Sequence, residues 1–189
     1  WETPPEYLLI VGDVDDIPTW DMSDNPTDLP YALMDADDWL PDLFLGRMPV
    51  RSPYETATLV AKTVAYERAP VGTNPEWMNH YLMVAGNAGS ETPISTVKFF
   101  GEQLTSLGFE NGFTLMPPYD GVYFPPVFGG AQAVPLIRGT IDSGVGIVAY
   151  RGWAYGTDGW EPPHFIVDDI PGLANGSMTP IVMSFVCLN

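Results

Sequence analysis

An α/β domain with a mostly parallel sheet and helices on both faces follows from two observations. Short, continuous apolar runs recur along the chain, among them Tyr7-Leu8-Leu9-Ile10-Val11, Tyr81-Leu82-Met83-Val84-Ala85 and Pro180-Ile181-Val182-Met183-Ser184-Phe185. Runs of this kind read as strands of a parallel sheet, buried on both faces. Helical segments with start and stop signals alternate with them, and such alternation gives parallel strands with helices packed on either side. At 189 residues a single domain, 1–189, with a sizeable core is predicted. The start at Trp1 and the stop two residues after Cys187 read as a piece of a longer protein, incomplete at both ends.

Seven basic against 24 acidic residues give a formal charge of −17. Phosphate contact needs Lys and Arg, so a nucleic-acid face is excluded as the default, and so is an anionic membrane surface. The acidity suits solubility, cation binding or a cationic substrate. No apolar run approaches the roughly 18 residues of a membrane span. One cysteine builds no disulfide framework, so the cysteine count leaves the compartment open. Asn175-Gly176-Ser177 matches a glycosylation acceptor, a pattern common by chance.

In chain order, a polar, proline-rich lead-in to Glu6 precedes the strand Tyr7–Val11, which ends in Gly12-Asp13-Val14-Asp15-Asp16-Ile17-Pro18. Residues 19–30 read as an acidic loop and Tyr31-Ala32-Leu33-Met34 as a short strand. A second acidic turn, Asp35-Ala36-Asp37-Asp38, leads to the strand Leu43–Val50. Ser52-Pro53-Tyr54-Glu55 opens a helix with an N-cap, a first-turn proline and a capping box. Its stripe is Ala57, Val60, Ala61 and Val64, and it fades by Arg68. Gly86-Asn87-Ala88-Gly89-Ser90 follows the strand Tyr81–Gly86. It lacks the lysine of a phosphate loop and reads as a plain strand-to-helix turn. The next helix starts at Thr92-Pro93, carries Val97, Phe100, Leu104 and Leu107, and stops at Gly108. Phe113–Met116 reads as a strand near the sheet edge. Residues 117–130 form a long aromatic loop, either a lid over a cleft or a covering flap. A third helix spans 135–143, with Gly144 beyond its end. Two strands close the chain, Gly146–Ala154 and 180–189, joined by a long loop.

These last two strands carry the chemistry. Gly146-Ile147-Val148-Ala149-Tyr150-Arg151-Gly152-Trp153-Ala154 runs into a glycine turn, and Val186-Cys187-Leu188-Asn189 ends on the only thiol. Active groups of open α/β sheets collect at the C-terminal ends of strands, so Cys187 is a nucleophile candidate. The alternative is a buried thiol acting as a small hydrophobe. Together the strands resemble the core of the gingipain-like cysteine peptidases, which share a caspase-like fold. There one strand ends in Tyr-x-Gly-His-Gly and a later one in Ala-Cys-x-Asn. Gly12-Asp13 to Ile17-Pro18 and Phe44-Leu45-Gly46-Arg47 are similar to the same family, so the likeness spans most of the chain. It implies a caspase-like three-layer sandwich and a secreted or surface-attached cysteine endopeptidase domain. Its partners would be a polypeptide substrate or neighbouring domains of the same chain. The likeness also puts Cys187 at the nucleophile position and Trp153 at the base position.

A cysteine peptidase needs a thiolate, or a thiol paired with a base. An indole offers an N–H donor and no proton-accepting nitrogen, so Trp153 cannot be that base. Of the two histidines, His80 precedes a strand, away from the C-terminal tips, and reads as structural. His164 lies between the two motif strands, either as a replacement base or as a residue of the rim. Asp158, Glu161, Asp168 and Asp169 nearby oppose a thiolate by like-charge repulsion. Weak or absent peptidase activity is therefore expected. The opposing reading keeps activity through His164. A third is a non-catalytic structural or adhesive module of a large secreted protein.

The acidic loops read in two ways. Asp13, Asp15, Asp16, Asp35, Asp37 and Asp38 supply hard oxygen ligands dense enough for structural Ca²⁺, which the family likeness also implies. Their spacing does not match an EF-hand, and a solvated acidic surface is the other reading.

Overall fold

Contacts divide the chain into two units, Trp1–Arg68 and Ala69–Asn189. The computed structural model describes residues 5–22, 26–35, 38–68, 75–86, 90–110, 112–116, 133–154 and 158–186.

The first unit runs β1 (Tyr7–Val11), β2 (Trp20–Asp21), β3 (Pro26–Thr27), a 3₁₀ turn (Leu29–Ala32), β4 (Phe44–Met48) and α1 (Pro53–Arg68). β1 and β4 pair in parallel, with Tyr7 opposite Phe44 and Val11 opposite Met48. Both strands stand where the apolar runs put them, but β1 is not a buried strand. Tyr7, Leu9 and Val11 are exposed and only Ile10 is enclosed. The 19–30 stretch holds the small antiparallel pair β2–β3 rather than plain loop. The expected strand at 31–34 is replaced by the 3₁₀ turn. Pro30 stands at its first positions, and the Tyr31 N–H closes it on the Asp28 carbonyl at 3.0 Å. Proline fixes φ in the helical range and has no N–H for a ladder, which favours a turn over a strand.

α1 begins at Ser52-Pro53 as expected. The Ser52 hydroxyl accepts the Glu55 N–H at 3.2 Å, while the Glu55 carboxylate reaches Arg51 N–H at 2.6 Å, one residue before the expected cap. The expected stripe does not bury: α1 has no buried residue, and Val60 and Val64 are exposed. Periodicity marks the face able to pack; it does not supply the surface that covers it.

Arg47 organises the turn after β1. Its guanidinium donates in a two-pronged fashion to Asp28, at 2.7 and 2.6 Å, and to the carbonyls of Gly12 and Ile17 at 2.9 and 3.0 Å. Arg51 pairs with Asp13, whose other oxygen accepts the Val14 N–H at 2.8 Å. The Arg51 hydrogen bond holds the Asp13 carboxyl below its ordinary range, and Arg47 does the same for Asp28. A depressed folded pKa contributes stability that is complete above the unfolded value, near 4, and is lost as pH falls through the folded one. Arg47→Met should lower the thermal midpoint at pH 7 and flatten the acid-induced fall below about pH 4, read by melting across pH. Unchanged melting at both ends of that range would contradict the clamp.

The second unit runs β5 (Tyr81–Ala85), α2 (Thr92–Ser106), β6 (Phe113–Leu115), α3 (Ala133–Ser143), β7 (Ile147–Arg151), β8 (Gly159–Trp160), β9 (Phe165–Ile166), a 3₁₀ segment (Val167–Gly172) and β10 (Ile181–Phe185). Four strands form one parallel sheet in the order β10-β7-β5-β6. β5 is buried throughout, as a continuous apolar run predicts. Its side chains alternate between two cores. Tyr81, Met83 and Ala85 pack with Val97 and Leu104 of α2, while Leu82 and Val84 pack with Ala133, Ile137 and Ile141 of α3. The unit is thus three layers, helix–sheet–helix. Each fully buried Leu or Ile in it is worth roughly 1.5–3 kcal/mol of transfer free energy.

α2 and α3 end at Gly108 and Gly144, with φ of +93° and +97°, the conformation glycine adopts at least cost. Leu107, expected in the α2 stripe, is exposed. The apolar run of β10 predicts a buried strand, yet Ile181, Val182 and Phe185 are exposed. As the edge strand it has one neighbour, β7, and an apolar run does not distinguish an edge from a centre. The 154–178 loop contains β8, β9 and the 3₁₀ segment, too short to leave a periodic signal. The Asn175 side-chain amide donates to the Met178 carbonyl at 2.7 Å, so the glycosylation-like triplet is engaged in its own turn.

Candidate active site

Parallel strands bring their C-terminal ends to one edge, and in this unit that edge belongs to β5, β7 and β10. Gly86, after β5, donates its N–H to the Arg151 carbonyl at 2.8 Å, and Gly152, after β7, donates to the Phe185 carbonyl at 3.3 Å. The two glycines approach so closely that each is required for space. A methyl on Gly86 would lie 2.7 Å from the Pro162 carbonyl oxygen and 2.9 Å from the Gly152 Cα. The Arg151 guanidinium donates to the Phe185 carbonyl at 3.0 Å, tying the ends of β7 and β10 together.

Tyr150 organises this edge. Its ring is fully buried and stacks on Trp160, with centroids 4.4 Å apart and planes 13° from parallel. The Trp160 indole N–H donates to the Ser184 hydroxyl of β10 at 3.0 Å. The Tyr150 hydroxyl accepts the Trp153 N–H at 3.1 Å. Its own proton faces two carbonyl oxygens, Trp153 at 2.8 Å and Pro162 at 3.0 Å. Burial pushes this phenol well above its usual pKa. Nothing in the sequence signals this role, because a tyrosine inside an apolar strand reads as core.

Trp153 is half exposed, with its backbone pinned at both ends. Its carbonyl also accepts the Glu161 N–H at 3.0 Å. His164 is half exposed, and its Nδ1 is hydrogen-bonded to the Glu161 carboxylate. The sequence singles out His164 but offers Glu161 only as a repelling charge. The spacing Glu161-x-x-His164 is the available signal that they pair. His80 is held before β5 with Nδ1 3.2 Å from the Gly144 carbonyl, on the far side of the strands from their C-terminal ends. Asp158 and Asp168 are exposed, and the Asp169 carboxylate accepts the Ile166 N–H at 3.0 Å. Cys187 and the 117–130 loop lie outside the described residues.

Of the six aspartates expected to bind calcium, five are described. Both Asp13 oxygens are engaged, by Arg51 and Val14. Asp15, Asp16, Asp35 and Asp38 are exposed, and Asp38 accepts the Leu40 N–H at 2.7 Å. Asp37 lies outside the described residues. Among the described residues no group of three or more His, Cys, Asp or Glu side chains is placed to hold a metal ion. No described helix is long and apolar enough to cross a membrane.

A parallel sheet sandwiched by helices, with its polar apparatus at the C-terminal strand ends, defines the class: an α/β domain of caspase-like fold. The chain belongs to Peptidase family C25, whose profile matches residues 1–189. Gingipain R2 of Porphyromonas gingivalis is 25% identical over 97% of this chain, and Lys-gingipain of the same organism is 25% identical over 90%. The chain spans 24% of the length of the first and 9% of the second, so each is a much longer protein. Among solved structures, the Arg-specific cysteine proteinase gingipain R (RGPB) superposes with a TM-score of 0.81 at 24% identity. That match covers 97% of this chain and 41% of the other. The family and fold implied by the sequence motifs are therefore shown.

Proposed function

We propose that the chain is part of a secreted or surface-attached cysteine endopeptidase-type domain with Cys187 at the nucleophile position. Its hydrolysis of polypeptides is weak because position 153 offers an indole where an imidazole is needed. The observation that carries this reading is Trp153 itself, pinned by its backbone at the end of β7 and half exposed there. Its side chain can stack or donate a hydrogen bond but cannot take a proton. General-base assistance is worth roughly 10²–10⁴ in rate, and a free thiol of pKa near 8.5 is only a few per cent thiolate at neutral pH. The extracellular setting rests on the likeness to the gingipain family.

A second reading, a non-catalytic module stabilised by calcium, is favoured by the exposure of Asp15, Asp16, Asp35 and Asp38. One comparison separates the two: casein hydrolysis by the full-length protein and by its Cys187→Ala variant, with melting in calcium and in chelator. Slow hydrolysis that disappears in Cys187→Ala supports the peptidase reading. Hydrolysis absent, or indifferent to Cys187→Ala, overturns it. A midpoint raised by calcium, with no hydrolysis, carries the module, since a ligand of the native state must raise it.

A further inference from the structure

We propose that the exposed face of the β1–β4 pair is a docking surface for an amphipathic helix, contributed by a part of the same polypeptide outside residues 1–189. This surface needs neither Cys187 nor any peptidase activity. It shares with the reading above only the longer protein of which the chain is part.

Register defines the face. Side chains alternate along a strand, so Tyr7, Leu9 and Val11 of β1 stand on one side of it. Their parallel partners on β4 are Phe44, Gly46 and Met48. Tyr7 and Phe44 stack, with centroids 5.3 Å apart and planes 25° from parallel. Tyr7 is 71% exposed, Phe44 65%, Leu9 55% and Val11 45%. A methyl added at Gly46 would meet only Leu9, at 3.8 Å. The missing side chain leaves a shallow gap beside Leu9, between Phe44 and Met48. The opposite face is the covered one: Ile10 is buried, and Leu8 and Leu45 are half-buried.

A bare face is out of keeping with a parallel pair. Parallel sheets occur almost only with both faces covered, because their crossovers lay helices on them. The sheet of the second unit obeys this, with α2 on one side and α3 on the other. In the first unit α1 is not the cover, since none of its residues is buried. A contiguous apolar face of this size on a charged chain marks an interaction site.

Charge and chain length select the occupant. A second copy is disfavoured, because each chain carries −17. An anionic membrane is disfavoured for the same reason. The relatives contain further polypeptide able to supply a cover: this chain spans 24% of Gingipain R2 and 41% of the solved gingipain R chain. The element that seats on a parallel sheet is a helix with one apolar stripe, and a side chain of that stripe would enter the gap at Gly46.

Two measurements on the full-length protein test this, each variant being checked for native melting. In the first, p-benzoylphenylalanine in place of Phe44 is photo-crosslinked, and the attached peptide is read by mass spectrometry. A crosslink within one monomer to a peptide outside residues 1–189 is expected. A crosslink to a second copy, a crosslink confined to residues 1–189, or none at all would overturn the proposal. In the second, maleimide labelling of Leu9→Cys is compared with that of Tyr54→Cys, at a position 81% exposed on α1. Leu9→Cys should react more slowly by about tenfold or more, as a site that must first open locally does. Equal rates would overturn the proposal even where the Phe44 variant fails to fold. Casein hydrolysis at Cys187 is read separately, so failure of either reading leaves the other standing.

Discussion

Trp153→His is expected to raise Cys187-dependent hydrolysis by about 10²–10⁴-fold, the range a positioned general base supplies. The backbone at this position is held independently of its side chain, by the Tyr150 hydroxyl at one end and by the Glu161 N–H at the other. The indole is half exposed, so exchanging it leaves no buried cavity. The imidazole would therefore enter a strand end that is already in place. Turnover of casein or a fluorogenic peptide pool near neutral pH is the measurement. A Trp153→His protein that melts normally and hydrolyses no faster would show that position 153 is not where this site needs its base.

Tyr150→Phe is expected to destabilise the protein by about 1–3 kcal/mol, because the Trp153 N–H and the Pro162 carbonyl would lose the hydroxyl as partner, while the Trp153 carbonyl would keep only the Glu161 N–H. The stack on Trp160 should survive, which isolates the hydroxyl from the ring. The effect has a pH signature. Burial raises the folded pKa of this phenol above the unfolded value near 10, so the neutral form is favoured in the native state. Its contribution is complete below about pH 10 and is lost as pH rises through the folded value. Melting at pH 7 and above pH 10 tests both parts. The variant should start lower and fall less steeply in alkali. Superimposable wild-type and Tyr150→Phe curves at both pH values would contradict the role. Hydrolysis should also drop, since the same hydroxyl fixes the backbone of Trp153 and Pro162.

Most of the elements can be read from the residues. Ser52-Pro53 and Thr92-Pro93 open their helices, Gly108 and Gly144 close theirs, and the run Tyr81–Ala85 is the buried central strand. The failures share one cause. Apolarity alone predicts burial for Tyr7–Val11, the α1 stripe and Ile181–Phe185, and all three are largely exposed. An apolar run reports that a surface can be covered. Whether it is covered depends on neighbours distant in sequence. The turn at 29–32 reads as a strand because a four-residue apolar stretch carries too little pattern to set against Pro30.

The site divides in the same way. The motifs at Tyr150–Ala154 and Val186–Asn189 point to the family, and the lack of an acceptor nitrogen at Trp153 follows from residue identity, independent of any fold. That Glu161 is hydrogen-bonded to His164 is decided by folding. So are the bond from Glu161 to Trp153 and the service of one tyrosine hydroxyl to three backbone groups. Local composition fixes what each side chain is able to donate or accept. Distance and direction between groups remote in sequence exist only once the chain has closed around its core, and in this protein they decide which backbone groups one buried hydroxyl can reach.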